Sequence, residues 1–345
     1  MRIALVCPGD SSHTLPWVEE LALRGHDVFV YAYPPVTVDF SPAHVSTVEG
    51  SGPIGRARWL RRQVRADAPD VVSQHYVATD AWALSRMDKP LVLSVWGSDV
   101  LRDLTRPLKR AVVAWALRSA TLVVSPARHM TEVLGGLGVR PERVVTLQYG
   151  VDTNEFSPAS APASDAPVRV ICTRSLKPVY GHEDILRALP LVSEDLVSRV
   201  VFTGRGSQAM ELKELAEGLA LGARVSFMGG VDSMPDALRS AAVYCSMSRS
   251  DGASLSLLEA MSCGLPVVVS DIPANREWID EGRTGVLVPC GAPDVLAARL
   301  SEVAGDQALR ARLGDAARET VLERGDRAKN VPAIIDAVEQ VAVDA

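Results

Sequence analysis

Apolar residues in this chain fall into short β-branched runs, separated by longer stretches in which they recur every three or four positions. Residues 2–7 form the first run, and Pro8-Gly9-Asp10 breaks it. The period then lengthens from about Thr14 to Arg24, with Leu15, Val18, Leu21 and Ala22 on one side of a predicted helix. Gly25-His26 closes that helix, and Val28–Ala32 returns to strand. The alternation continues with a helix near 54–67, a strand at Val71-Val72, a helix near 78–87 and a strand at Leu91–Val95. A helix from about Leu101 to Ser119 follows, then a strand at Leu122–Val124, a helix near 126–134 and a strand at Val144–Leu147. Strands and helices alternating through short loops predict a doubly wound α/β domain whose ligand edge lies at the strand C-termini.

A second series has the same rhythm. Gly150-Val151-Asp152 through Pro158 closes the first half, and residues 159–167 are small and proline-rich, as a linker is. Strands at Arg169–Cys172, Val200–Phe202 and Val225–Met228 alternate with helices reaching Leu189 and about Ala220, and with a short helix near 234–240. Tyr244 to Pro273 then reads as strand, loop, short helix, a Gly264 stop and a second strand through Val267, Val268 and Val269. The expected organisation is an N-terminal domain at 1–158, a linker at 159–167, a C-terminal domain at 168–325 and a terminal helix at 326–345 packing back on the N-terminal domain.

Bulk composition narrows the class. A length of 345 residues suits two domains, and 47 % apolar with 23 % charged residues describes a globular protein. No apolar run approaches the roughly 20 residues needed to span a bilayer. The chain enters a strand pattern at once, without a cleavage region, and its five cysteines are odd in number and scattered. Reduced thiols and a cytoplasmic location are expected. A net charge of −6 argues against nucleic acid, but residues 53–118 hold 12 basic and 6 acidic side chains. Within 54–67, Arg56, Arg58, Arg61, Arg62 and Arg65 interleave with Ile54, Trp59, Leu60 and Val64. A solvated helix face accounts for that pattern. Peripheral contact with an anionic membrane, or with a lipid-diphosphate acceptor, is the functional alternative.

Candidate chemistry gathers at the predicted strand ends. Ser254, Leu255 and Ser256 open the short helix, where backbone N–H groups stabilise an anion, and Asp251 and Glu259 bracket that start. Ser256-x-x-Glu259 is also a capping-box pattern that needs no ligand. Arg174 and Lys177 follow one strand, placed to meet a diphosphate, and Gly204 and Gly229 follow the next two. In the first half, Gly9, His75 and the Trp96-Gly97-Ser98-Asp99 turn fall at strand ends. A plain strand–helix turn would use Gly9 as readily as a ligand site, and a lone histidine such as His75 is more often structural than catalytic.

Ser250-Asp251-Gly252-Ala253-Ser254-Leu255-Ser256-Leu257-Leu258-Glu259-Ala260-Met261, with Cys263-Gly264-Leu265-Pro266-Val267-Val268, resembles the signature of the retaining GT-B glycosyltransferases of the family 4 type. The likeness extends in order to Gly25-His26, Gly150-Val151-Asp152, Phe227-Met228-Gly229 and Gly285-Val286-Leu287-Val288. It implies two Rossmann-like domains facing across a cleft, an acceptor on the first, a nucleotide-sugar donor on the second, and no metal or cofactor. By the same resemblance Asp251 contacts donor-sugar hydroxyls, Glu259 contacts ribose hydroxyls, and Arg174 is the first of two diphosphate cations. The chain departs from the pattern at three places. Asp251 stands where the family usually has Glu, and Tyr180 stands at the second cation's position, leaving Lys177 to replace it. Trp96 stands where a histidine is common, leaving Asp99 or His75 near the point of transfer.

Together these readings predict transfer of a sugar to an acceptor hydroxyl, with a glycan, lipid-linked or small-molecule acceptor, in cell-surface polysaccharide, glycolipid or glycoconjugate synthesis. A sugar-nucleotide epimerase or phosphorylase on the same fold, or a catalytically silent partner of another transferase, are the alternatives.

Overall fold

The computed structural model describes residues 1–159 and 167–343, so all but the ends of the expected linker lie outside the described residues. Two compact units result, one from Met1–Tyr149 with Ala328–Ala345, the other from Gly150–Arg327.

The first unit contains β1 (Arg2–Pro8), α1 (Leu15–Leu23), β2 (Asp27–Tyr33), β3 (His44–Thr47), α2 (Gly52–Asp67), β4 (Val71–His75), α3 (Ala81–Leu84), β5 (Leu91–Ser94), α4 (Ser98–Leu101), α5 (Pro107–Ser119), β6 (Leu122–Ser125), α6 (Arg128–Gly136) and β7 (Val144–Thr146). Its strands form one sheet in the order β3-β2-β1-β4-β5-β6-β7, with every pairing parallel. Ile3 to Cys7 are fully buried because helices cover both faces, which is why β1 reads as an unbroken apolar run. The single helix expected over Leu101–Ser119 is instead two. Pro107 disfavours helical backbone at Arg106, which is extended (φ −87°, ψ 123°), and α5 starts at the proline itself.

The second unit contains β8 (Val168–Cys172), α7 (His182–Ala188), β9 (Val197–Phe202), α8 (Ala209–Gly218), β10 (Val225–Phe227), α9 (Met234–Arg239), β11 (Val243–Ser246), α10 (Leu255–Ser262), β12 (Val267–Ser270), α11 (Pro273–Arg276), β13 (Val286–Val288), α12 (Pro293–Gly305) and α13 (Gln307–Arg324). Its parallel sheet runs β10-β9-β8-β11-β12-β13. The order reverses at β8 and β11, so the loops after those two strands flank the switch point where doubly wound sheets hold ligands.

The last helix, α14 (Arg327–Val343), belongs to the first unit for nearly all its length. Val331, Ile334, Ile335 and Val338 recur at helical spacing and pack in one cluster with Ile3, Leu5, Val30 and Val92. Burying four such side chains contributes up to about 6–12 kcal/mol. Polar contacts fix its register: Arg24 Nη1 lies 2.6 Å from Asp336 and 3.0 Å from Glu339, and the Asn330 amide donates to the Gln148 carbonyl at 2.7 Å. Just before it, Val151 bridges Asp326, with Val151 N–H donating to Gly325 and Arg327 N–H donating to Val151, both at 2.9 Å. Gly150 (φ +80°) has no room for a side chain there, because a Cβ would collide with the Gly325 carbonyl.

Candidate functional site

In the second unit, the loops after β8 and β11 bring together residues about 80 positions apart in sequence. Arg174, two residues past the end of β8, donates from Nη2 to Asp251 Oδ2 at 2.6 Å and from Nη1 to the Ser254 and Ser256 hydroxyls, each at 2.9 Å. Its side chain is 10 % exposed and that of Asp251 14 %, so the pair sits in a nearly dry pocket. The Tyr180 ring covers the guanidinium, with the Arg174 carbon 4.1 Å from the ring centroid. Burial works against the Arg174 charge, but Asp251 and the Tyr180 and Tyr244 hydroxyls outweigh it and raise the pKa. A permanently charged fork is thereby held in one orientation before any ligand arrives.

Backbone packing fixes that fork from behind. A Cβ on Gly204 would collide with the Arg174 carbonyl, and one on Gly181 (φ +58°) with the Met247 carbonyl. Both glycines are therefore required by close backbone approach. His182, fully buried at the start of α7, places Nε2 3.3 Å from the Arg174 carbonyl. Burial pushes its pKa down to about 4, so a neutral ring is assigned as the donor there. Neither His182 nor Tyr180 was singled out as a site residue from sequence. The Tyr180-Gly181-His182 triplet directly after the basic loop was the available signal.

Helix α10 is capped by Ser254, whose hydroxyl accepts from Leu257 N–H at 3.3 Å. The alternative Ser256–Glu259 capping box does not form. Ser256 lies inside the first turn, and its hydroxyl is engaged by Arg174 and by the Tyr244 hydroxyl at 3.1 Å. Glu259 is left, among the described residues, without a hydrogen-bond donor. Burial pushes its pKa up to about 7, against the opposing pull of Arg327 and Arg174. A partly buried carboxyl with nothing to accept from is suited to ligand hydroxyls. Lys177 is exposed and its side chain forms no hydrogen bond or ion pair with any described residue. Gly229 (φ +70°) ends β10 on the same sheet edge.

The first unit has its own edge. Gly9 N–H donates to the Tyr33 carbonyl, and its carbonyl accepts from Thr37 and Val38, so its backbone is engaged by the fold. His75 is fully buried, with Nδ1 3.0 Å from the Thr14 hydroxyl and its ring 4.4 Å from that of Trp17. Burial drives its pKa down to about 3, so it is a neutral imidazole near neutral pH. Asp99 is 1 % exposed and accepts from three backbone N–H groups: Gly97 at 2.8 Å, Val77 at 3.0 Å and Trp96 at 3.1 Å. Burial raises its pKa despite those bonds. These two candidates hold the β4 and β5 loops in shape. Trp96 is ringed by His13, Tyr76 and His75 at 5.2, 6.0 and 6.1 Å. A feature not anticipated is the fully buried Asp80, which accepts from Tyr33 (2.8 Å), Arg56 (3.2 Å) and Gln74 (3.3 Å).

Residues 153–320 match the family described as "Glycosyl transferases group 1", and residues 9–155 match "Glycosyltransferase Family 4". The chain is 29 % identical to the phosphatidyl-myo-inositol mannosyltransferase of Mycobacterium leprae, over 93 % of this chain and 92 % of that protein. It is 28 % identical to the D-inositol 3-phosphate glycosyltransferase of Kribbella flavida, over 72 % and 66 %. Among solved structures, sucrose-phosphate synthase from Thermosynechococcus elongatus superposes with a TM-score of 0.84 at 18 % identity, covering all of both chains. Anabaena HepE solved with UDP gives 0.83 at 17 %, covering 99 % of this chain and 100 % of that one.

Proposed function

Because the chain belongs to the GT-B glycosyltransferases of the family 4 type, we propose that it moves a sugar from a nucleoside diphosphate to an acceptor hydroxyl, with retention at the anomeric carbon. The observation that carries this reading is the Arg174 fork, already oriented by Asp251, Ser254 and Ser256 at the start of α10. In it the diphosphate lies against Arg174 and the N–H groups at Ser254–Ser256, with Lys177 as the second cation. Glu259 accepts from the ribose hydroxyls, and Asp251 accepts from the donor sugar while keeping Arg174 in place.

Negative charge grows on the leaving phosphate as the glycosidic bond breaks, and a preoriented guanidinium stabilises it without reorganising. Among the described residues Asp251 is the one carboxylate hydrogen-bonded to the Arg174 fork, so a front-face displacement, in which the leaving phosphate takes the acceptor's proton, suits this site better than a covalent intermediate. The acceptor falls to the first unit, whose edge carries Trp96 and the Arg56–Asp80 pair. Ile54 (61 % exposed) and Leu108 (78 % exposed), with exposed Arg58, Arg62, Arg65, Arg106 and Arg110, give that unit a surface suited to an anionic bilayer and hence to a lipid-linked acceptor.

Calorimetry against UDP-, GDP- and ADP-sugars, followed by transfer assays with the anomer read by NMR, tests the proposal. Binding with transfer and a retained anomer is expected. Conversion of the donor without any acceptor would instead mark an epimerase, and binding with no turnover a silent partner.

A further inference from the structure

The end of the second sheet nearest β10 carries a feature that the phosphate and ribose contacts leave unused. The loop Gly204-Arg205-Gly206 after β9 is locked to the Arg174 loop. Leu176 N–H donates to the Arg205 carbonyl and Gln208 N–H to the Leu176 carbonyl, both at 2.9 Å, and a Cβ on Gly206 would collide with Leu176. The Arg205 side chain extends toward the next loop. A Cβ placed on Gly230 would lie 3.2 Å from Arg205 Nη2 and 3.5 Å from Nε, and one on Gly229 would lie 3.8 Å from Nε. The guanidinium thus flanks two residues of bare backbone. Beside them Met228 is 59 % exposed, and Phe227 beneath is stacked on Phe202 at 5.2 Å and 15°. The Arg205 side chain is exposed and forms no hydrogen bond or ion pair with any described residue.

A side-chain-free peptide floor, a polarisable thioether and an unpaired fork of donors fit a flat heteroaromatic ring with acceptor atoms on its edge. The position agrees. β10 lies two strands from β8, about 10 Å at normal strand spacing, which matches the reach of a nucleoside from a diphosphate held at Arg174. Guanine offers O6 and N7 to an arginine fork and uracil offers O4, whereas adenine presents an amino donor at that edge.

We propose that Arg205, with Met228 and Gly229-Gly230, is the base-reading end of the nucleotide site and selects bases with a carbonyl on that edge, guanine foremost. The inference rests on the donor reading above and adds its base specificity.

The test is calorimetric titration of GDP, UDP and ADP into the intact protein and into Arg205→Ala and Arg205→Lys, whose melting temperatures check folding. The wild type should bind GDP roughly ten-fold or more tighter than ADP. Arg205→Ala should weaken GDP by a similar factor while leaving ADP unchanged, and Arg205→Lys should fall between. Equal weakening of all three nucleotides would place Arg205 on the phosphates and overturn the proposal. So would GDP binding untouched by the substitution, or a wild-type preference for ADP; both leave the donor reading intact. Failure of every nucleotide to bind the wild type would remove the donor reading along with it.

Discussion

The ribose contact proposed for Glu259 predicts that donor binding depends on pH. The Glu259 carboxyl has no hydrogen-bond donor among the described residues, and burial raises its pKa from 4.5 to about 7. Only the ionised carboxylate accepts from both ribose hydroxyls, so apparent affinity scales with the ionised fraction of the free protein. With a pKa of about 7 that fraction is roughly 10 % at pH 6 and 90 % at pH 8. The dissociation constant should therefore fall about ten-fold across that interval. Intact nucleotide-sugars are the right probe, because a free nucleoside diphosphate has a terminal phosphate that itself titrates near 6. Calorimetry in buffers of different ionisation enthalpy should show release of about half a proton per donor bound at pH 7. Glu259→Gln should bind with a flat profile and release none. The stability of the empty protein runs the other way. A carboxyl with a raised folded pKa favours the fold while protonated, and that advantage is lost as pH rises from 4.5 to about 7. Glu259→Gln should consequently gain on the order of 1–3 kcal/mol over wild type above pH 7 and nothing below pH 4.5. A flat wild-type binding curve, or the same slope in Glu259→Gln, would falsify the assignment.

Arg174→Ala should raise the transfer barrier by about 2–4 kcal/mol and, by leaving Asp251 nearly buried without its cation, should also lower stability. A double-mutant cycle with Asp251→Ala should return a coupling of about 1–3 kcal/mol, and strict additivity would show that the 2.6 Å contact does not organise the site. Asp99→Ala strips an acceptor from three backbone N–H groups, two of them in buried bonds, and should cost about 2–4 kcal/mol in thermal unfolding; a melting curve like the wild type's contradicts a structural role. Charge reversal of Arg58, Arg62 and Arg65 should abolish sedimentation with phosphatidylglycerol vesicles at low salt, and undiminished sedimentation rules out α2 as the docking helix.

Much of the architecture was legible because buried parallel strands are β-branched runs and covering helices repeat every three to four residues. β3 was not, since His44–Thr47 is an edge strand whose residues are mostly exposed and show no apolar alternation. The break at Pro107 was missed, because it is a matter of backbone sterics rather than of apolar pattern. At the site, residue types at strand ends located Arg174, Asp251 and Ser254–Ser256. Their mutual engagement was not readable, because it depends on how two loops about 80 residues apart are folded. Ser256-x-x-Glu259 read as a capping box, and only the tertiary demand of Arg174 and Tyr244 on Ser256 decides for Ser254. Likewise Tyr180 was visible as a departure from the family pattern, but its stacking on Arg174 emerges only in three dimensions.

The placement of α14 has a consequence for synthesis. The first unit begins to form as soon as its strands leave the ribosome, and α1 covers part of the apolar face made by Ile3, Leu5, Val30 and Val92, yet the rest stays uncovered until Val331–Val338 arrive. All of Gly150–Arg327 is translated in between, an interval of roughly 10–40 s at about 5–20 residues per second. The unit that is made first is finished last. During that wait the exposed face is a natural client for chaperones, and a chain cut short after its second unit would display the same face permanently.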